Sequence, residues 1–285
     1  MAHPDVLIVD DDEPTRVGLA ALLRAAGIEG ETASDGAEAL EKFEAHDFRV
    51  VLLDNRLPGI DGLEVLARCV AKPSPPKVIV MTGVDVTGTA LSALRGQAYD
   101  FLTKPIEPQR LVETVRRSLS TPGDAPGIEV VSARPEWIEL LVPCTREAVD
   151  RIQSFLQQIG CDLPDDLRAS VGLAFRELLL NGIEWGGRLD PAQRVRVACL
   201  RARRMLLYRI ADPGQGFTFA GLSHAAAGHP SDVLAHVAVR EAQGLRPGGF
   251  GLVLIRAIAD ELVYNERQNE VVFVKYLDEP PGPAA

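Results

Sequence analysis

Val50–Leu66 reads VVLLDNRLPGIDGLEVL, and this stretch decides the fold. Its first residues are β-branched or leucine with no polar alternation. A run so short and so apolar reads as a strand covered on both faces, as in a parallel sheet. Asp54 follows directly, and Gly62–Cys69 then takes up helical, amphipathic spacing. Working outward in both directions, the unit repeats. Val6–Val9, Val78–Met81 and Phe101–Thr103 are further short apolar runs, and Thr15–Ala26, Gly36–Ala45, Thr87–Gly96 and Gln109–Leu119 have helical period. Alternating strands and helices predict a doubly wound α/β domain with a parallel sheet over residues 1–120.

Parallel strands bring their C-terminal ends to one edge, where such sheets bind ligands. Asp10 and Asp11 follow the first strand, Asp54 follows VVLL, Thr82 ends VIVM, and Lys104, before Pro105, ends the last strand. Three carboxylates at one edge repel one another unless a cation lies among them, and Mg²⁺ with its oxygen ligands suits that demand. A lysine and a hydroxyl nearby suit an added phosphoryl group, and together the set suits an aspartate acting as phosphoryl acceptor. The acidic triplet alone reads equally well as a solvated helix-capping cluster; the ordered set of five positions separates the two readings.

VLIVDDDEPTR, VLLDNRLPGIDGLEVL, MTG and FLTKPI, over about residues 5–120, resemble the receiver domain of response regulators. The resemblance implies a flavodoxin-like sheet and a cognate sensor histidine kinase as partner. It makes Asp54 the phosphoacceptor, with Mg²⁺ held by Asp11, Asp54 and the backbone carbonyl of Arg56, and by Asp10 through water. Thr82 and Lys104 would meet the phosphoryl oxygens, and Phe101 occupies the place of the switch aromatic. Gln97 departs from the family, which usually has glycine there.

TPGDAPG, residues 121–127, has two prolines and two glycines and reads as a linker. A second domain is expected over residues 128–285. Its expected strands are Ile128–Ala133 and Glu139–Val142, a hairpin of Arg194–Leu200 with Met205–Ala211 turning at Arg201–Arg204, and a closing hairpin of Leu262–Asn265 with Glu270–Tyr276. Its expected helices are Arg146–Ile159, Asp165–Asn181 and Gly251–Asp260. Ala220–Pro247, rich in Gly, His and Ala, reads as a loop.

Three segments of this half carry chemistry. RELLLNGIEWG places Glu177 and Asn181 four apart, on one helix face. DPGQGF sets Asp212 after a strand, ahead of Gly214 and Gly216. PGGFGLVLIRAIADEL sets Gly248, Gly249 and Gly251 before a helix, where free amides and the helix dipole favour phosphate. Singly, each reads as a plain turn or a helix's polar edge. In this order they resemble the Bergerat-fold ATPases, over about residues 130–278, and most nearly the anti-sigma-factor serine kinases.

That resemblance implies an α+β fold, ATP and Mg²⁺ as cofactors, and a homodimer. Asn181 would bind Mg²⁺, and Glu177 would be the general base. Asp212 would read adenine, with Gly214 and Gly216 admitting the ring. Gly248, Gly249 and Gly251 would hold phosphates under a lid at 220–247. The substrate would be a serine on an anti-sigma-factor antagonist of STAS type, in partner switching with a sigma factor. Trp185 stands where those kinases usually have histidine. Two alternatives stay open: an ATP-binding module that sequesters its partner without transfer, and a kinase that phosphorylates a histidine in trans. Residues 105–145 contain no histidine, which argues against a self-contained histidine kinase.

Bulk properties narrow the classes. At 285 residues, two domains are the natural expectation. Net charge is −10, and neither half is basic: 13 Lys and Arg against 19 Asp and Glu up to residue 120, then 17 against 21. The footprint of direct DNA binding is missing. Cys69, Cys144, Cys161 and Cys199 have no metal-ligand spacing and read as buried free thiols. No apolar run is long enough to span a membrane. The first residues, MAHPDVLIVDDD, lack a signal-peptide pattern, so the expected location is the cytoplasm.

Overall fold

The computed structural model describes residues 5–83, 86–123, 126–159, 163–217 and 250–277. The chain divides into two compact units, Met1–Ala125 with Ser154–Cys161, and Pro126–Gln153 with Asp162–Ala285.

The first unit holds five parallel strands: β1 (Val6–Val9), β2 (Gly30–Ala33), β3 (Val50–Asp54), β4 (Lys77–Thr82) and β5 (Asp100–Thr103), in the order β2-β1-β3-β4-β5. The helices between and after them are α1 (Glu13–Ala25), α2 (Gly36–Ala45), α3 (Gly62–Val70), α4 (Val86–Arg95) and α5 (Pro108–Ser120). β1 and β3 are buried at every position, which explains their apolar runs VLIV and VVLL, the second ending in the buried Asp54. Side chains of β1, β3, β4 and β5 meet Leu19 and Leu23 of α1 and Leu111 and Val115 of α5 in one core. The strand order reverses between β1 and β3, so the crevice beyond their C-terminal ends is the place for a site.

Local signals start the helices. Asp12 caps α1 by accepting from the Thr15 amide at 2.9 Å, which begins the helix two residues before the expected Thr15. Asp35 accepts from the Glu38 amide at 2.9 Å, while Glu38 reaches back to the Ser34 amide at 2.8 Å, closing a capping box on α2. The Glu38 carboxyl is held down to about 2, mainly by the Ser34 amide, then by Lys42 and the Ser34 hydroxyl.

In the second unit a six-stranded antiparallel sheet runs β10-β11-β9-β8-β7-β6. Its strands are β6 (Glu129–Ala133), β7 (Trp137–Pro143), β8 (Arg194–Ala202), β9 (Met205–Ala211), β10 (Glu261–Tyr264) and β11 (Glu270–Tyr276). Among the described residues its helices are α6 (Arg146–Ile159, of which the part up to Gln153 belongs to this unit), α7 (Asp165–Asn181) and α8 (Gly251–Ile258); one π-type turn, Gly182–Gly186, continues α7. Alternate residues of β7, β8 and β9 are buried, among them Ile138, Leu140, Val195, Val197, Tyr208 and Ile210. α7 buries Val171, Ala174, Phe175 and Leu178 at helical spacing. Phe175 meets Tyr208 at 5.0 Å between ring centroids, and Tyr208 meets Phe273 at 6.1 Å.

Several sequence expectations need correction. β2 was not anticipated: its GETA sequence has one buried residue and is held by pairing with β1. The β8–β9 turn is tighter than Arg201–Arg204, because Ala202 still pairs with Met205. α8 ends at Ile258, since Asp260 turns to the Lys275 ammonium at 2.9 Å and the Tyr276 amide at 2.6 Å. Cys69, Cys144 and Cys199 are free and buried, while Cys161 lies outside the described residues. No helix among the described residues is long and apolar enough to cross a membrane.

Candidate functional site

The C-terminal edge of the parallel sheet gathers the predicted residues. Ligand atoms of Asp10, Asp11 and Asp54 all lie within 4.8 Å of one another. Asp10 is wholly buried, Asp54 is nearly so, and Asp11 is exposed. The Lys104 ammonium meets Asp10 at 2.7 Å and Asp54 at 3.0 Å. Parallel pairing sets this arrangement: Asp54 lies opposite Met81 on β4, and Thr82 lies opposite Thr103 on β5. The Lys104 amide donates to the Thr82 carbonyl at 2.7 Å, tying the lysine's backbone to the end of β4. Thr82 is buried and Phe101 is fully buried on β5. Arg56, exposed, lies on the loop between β3 and α3.

Burial pushes the Asp54 carboxyl above its ordinary value, with Lys104 pulling it partly back. Burial by itself would lower the Lys104 ammonium, but its hydrogen bonds to Asp10 and Asp54 outweigh this and raise it. One lysine thus carries charge for three carboxylates, which leaves net negative charge at the edge. That surplus, and the closeness of the carboxylate oxygens, fits an oxygen-loving divalent cation such as Mg²⁺.

In the second unit, Glu177 and Asn181 are half-buried, one turn apart on α7. The Glu177 carboxylate lies so close to Gly251, at the start of α8, that a Cβ there would come within 2.6 Å of it. Asp212, just past β9, packs on the turn that continues α7: Gly186 lies against its carboxylate, where any side chain would overlap it. The Gly214 amide donates to the Asp212 carboxylate at 2.8 Å. Burial raises the Asp212 carboxyl, and that amide only partly opposes the shift. Asn181, Gly182 and Gly186 are contiguous with the same turn, so the first two boxes meet at Asp212 and the first and third at Glu177. A half-buried carboxylate beside a glycine-lined turn can accept a hydrogen bond from a planar amino group, as adenine offers. Gly216 has φ +81°, the left-handed region that glycine favours. Gly248, Gly249, the expected lid at 220–247 and its histidines lie outside the described residues.

Sequence reading missed three residues that shape these sites. The Arg16 guanidinium donates to the backbone carbonyls of Asp10 at 2.7 Å and Asp11 at 3.3 Å, fixing the acidic turn. Gly186 makes room for Asp212, and Asn269 reaches the Asp212 loop from the β10–β11 turn. For Arg16 the one signal was its position a helical turn past the acidic triplet. The other two act across the fold and left none.

Comparison with known proteins agrees with this division. Residues 6–116 match the family described as response regulator receiver domain, and residues 142–275 match the histidine kinase-like ATPase domain. The C4-dicarboxylate transport transcriptional regulatory protein DctD of Pseudomonas aeruginosa is 40% identical over 119 residues, covering 41% of this chain and 26% of that protein. The transcriptional regulatory protein FixJ of Bradyrhizobium diazoefficiens is 36% identical over 128 residues, covering 45% of this chain and 62% of that protein. The chain thus spans between about a quarter and three fifths of the length of these curated relatives. Among solved structures, the receiver domain of NtrX from Brucella abortus is 37% identical, covering 41% of this chain and 100% of that one, with a TM-score of 0.39. The chain joins a response regulator receiver domain, matched at residues 6–116, to a histidine kinase-like ATPase domain, matched at residues 142–275.

Proposed function

We propose that the chain is a phosphorylation-controlled regulator whose output domain is an ATP-dependent protein serine/threonine kinase of anti-sigma-factor type. At the receiver, an oxygen of Asp54 attacks the phosphorus of a phosphohistidine on the cognate sensor kinase; a P–O bond forms and the P–N bond breaks. Lys104 neutralises the phosphoryl oxygens, and Thr82 supplies a hydroxyl to them. Mg²⁺ would be held by Asp11, Asp54 and the Arg56 carbonyl, with Asp10 acting through water, and would supply charge neutralisation.

At the output domain, Asp212 reads the adenine amino group beside Gly214 and Gly216, and Gly251 at the start of α8 would meet the phosphates, the part also expected of Gly248 and Gly249 outside the described residues. Asn181 would hold the Mg²⁺ that accompanies them, which would supply charge neutralisation there. Glu177 takes the proton from the attacking serine or threonine hydroxyl as its oxygen bonds to the γ-phosphorus and the bond to the β-phosphate oxygen breaks. The observation that carries the reading is Glu177: a carboxylate one turn from Asn181, facing the start of α8, is what transfer requires and simple binding does not. The partners of this reading are a STAS-type antagonist and a sigma factor, the oligomer is a homodimer, and the setting is cytoplasmic. It includes no contact with DNA, in keeping with two acidic halves.

Trp185 favours a second reading. It is 48% exposed on the turn beside Asp212, and an exposed tryptophan is a common anchor for a partner protein, so the domain would hold ATP and sequester that partner without transfer. Incubation with Mg²⁺, γ-labelled ATP and co-encoded candidate partners separates the readings. An acid-stable, base-labile label on a partner, absent with N181A, is expected. ATP binding without label favours sequestration, and an acid-labile, base-stable label means transfer to histidine in trans.

A further inference from the structure

Among the residues outside the three nucleotide-site boxes, Asn269 makes the most specific connections to the site. It opens the β11 end of the β10–β11 turn and lies 57 residues from Asp212 in sequence, yet three hydrogen bonds join the two regions. The Asn269 side-chain amide donates to the Asp212 carbonyl at 3.3 Å and to the Gly214 carbonyl at 3.2 Å. The Asp212 amide donates to the Asn269 carbonyl at 2.9 Å. The orientation of that side chain is itself fixed: Asn265 Nδ2 donates to Asn269 Oδ1 at 2.9 Å, so the Asn269 NH₂ must face the loop. Asn265 in turn is held because its Oδ1 accepts from the amides of Asn269 at 3.1 Å and Glu270 at 3.2 Å. On the other side of the loop, Gly216 rests directly on the Arg267 carbonyl with no room for a Cβ. The turn grips the 212–216 loop at both ends.

We propose that Asn269, oriented by Asn265, is a positioning residue that sets the base selectivity of the nucleotide site by holding Asp212 where it meets the adenine amino group. The inference rests on Asp212 reading that group, as given above. Asn269 itself touches no nucleotide in this account. It clamps two carbonyls of one tight turn, so its loss lets the turn rotate and moves the Asp212 carboxylate, while α7 and α8 keep their places. The effect therefore falls on adenine recognition and spares the phosphate contacts.

The test measures binding of ATP and of inosine triphosphate, which has a keto oxygen in place of the 6-amino group, by calorimetry with Mg²⁺. The full-length proteins compared are wild type, N269A, N269D, N265A and D212A. N269D keeps the shape of asparagine but turns a carboxylate onto the two carbonyls. Both Asn269 variants are expected to bind ATP about tenfold more weakly, the size of losing one to two hydrogen bonds, with inosine triphosphate affinity within about twofold of wild type. N265A is expected to lose a smaller share of the preference. The fitted stoichiometry reports the folded fraction, so a partly unfolded variant remains readable. An undiminished ATP preference in N269A and N269D, with that preference lost in D212A, would overturn the role of Asn269. An equal loss of both nucleotides would also overturn it, as general destabilisation. A preference intact in D212A would instead sink the reading of Asp212 on which the inference stands.

Discussion

Lys104 holds two carboxylates at once, 2.7 Å from Asp10 and 3.0 Å from Asp54, and the first of these is wholly buried. Removing one partner of a buried charge set costs about 3–5 kcal/mol, because the remaining charges lose their counter-ion. K104A should therefore lower stability by about 3 kcal/mol in chelator, measured by urea unfolding at neutral pH. Millimolar Mg²⁺ should restore more stability to the variant than to wild type, since the cation no longer competes with an ammonium. Equal Mg²⁺ responses would mean that lysine and metal do not share the site. Asp212 makes a pH prediction of its own. Its carboxyl is raised by burial, so the neutral acid persists to higher pH than in a free aspartate. ATP affinity should be full above that raised value and fall as pH drops through it, with the step absent in D212N. The stability term has the opposite sense: the folded state binds this proton more tightly, so the contribution of Asp212 declines as pH rises from 3.8 through the raised value.

At the scale of elements, α2 depends on its capping box. Ala in place of Glu38 should cost about 1 kcal/mol at pH 7. Because Glu38 titrates at about 2 when folded, against 4.5 when free, the difference should be complete above 4.5 and vanish as pH falls towards about 2. Unfolding of the two proteins across that range is the check. F175A, which empties the contact between α7 and β9, should cost about 3–5 kcal/mol; thermal unfolding measures it. Element types were legible where burial leaves its mark: the apolar runs of β1 and of β3 up to Leu53, the alternation of β8 and β9, the helical stripe of α7. β2 was not, because an edge strand with three half-buried residues carries no apolar pattern and takes its conformation from β1. The same contrast holds at the sites. Asp10, Asp54, Thr82 and Lys104 were readable because strand ends place them, and the structure brings them together. Gly186 and Asn269 were not readable, because their roles exist only when the turn after α7, the loop after β9 and the β10–β11 turn meet.

At the scale of the whole molecule, a receiver domain and an ATPase domain share one chain. The reading proposed here needs a free-energy coupling between them: the state of Asp54 must change what the ATP site does. Couplings of this kind are typically about 1–3 kcal/mol, or about 5- to 150-fold. The most direct test follows transfer from labelled ATP to the partner, or ATP affinity where no partner is labelled, before and after treatment with acetyl phosphate and Mg²⁺. Wild type should change by at least about fivefold, in one direction, while D54A should show the same value with and without the phosphodonor. Identical rates and affinities in phosphorylated and unphosphorylated wild type, with phosphate confirmed on Asp54 by mass spectrometry, would contradict receiver control of the output domain.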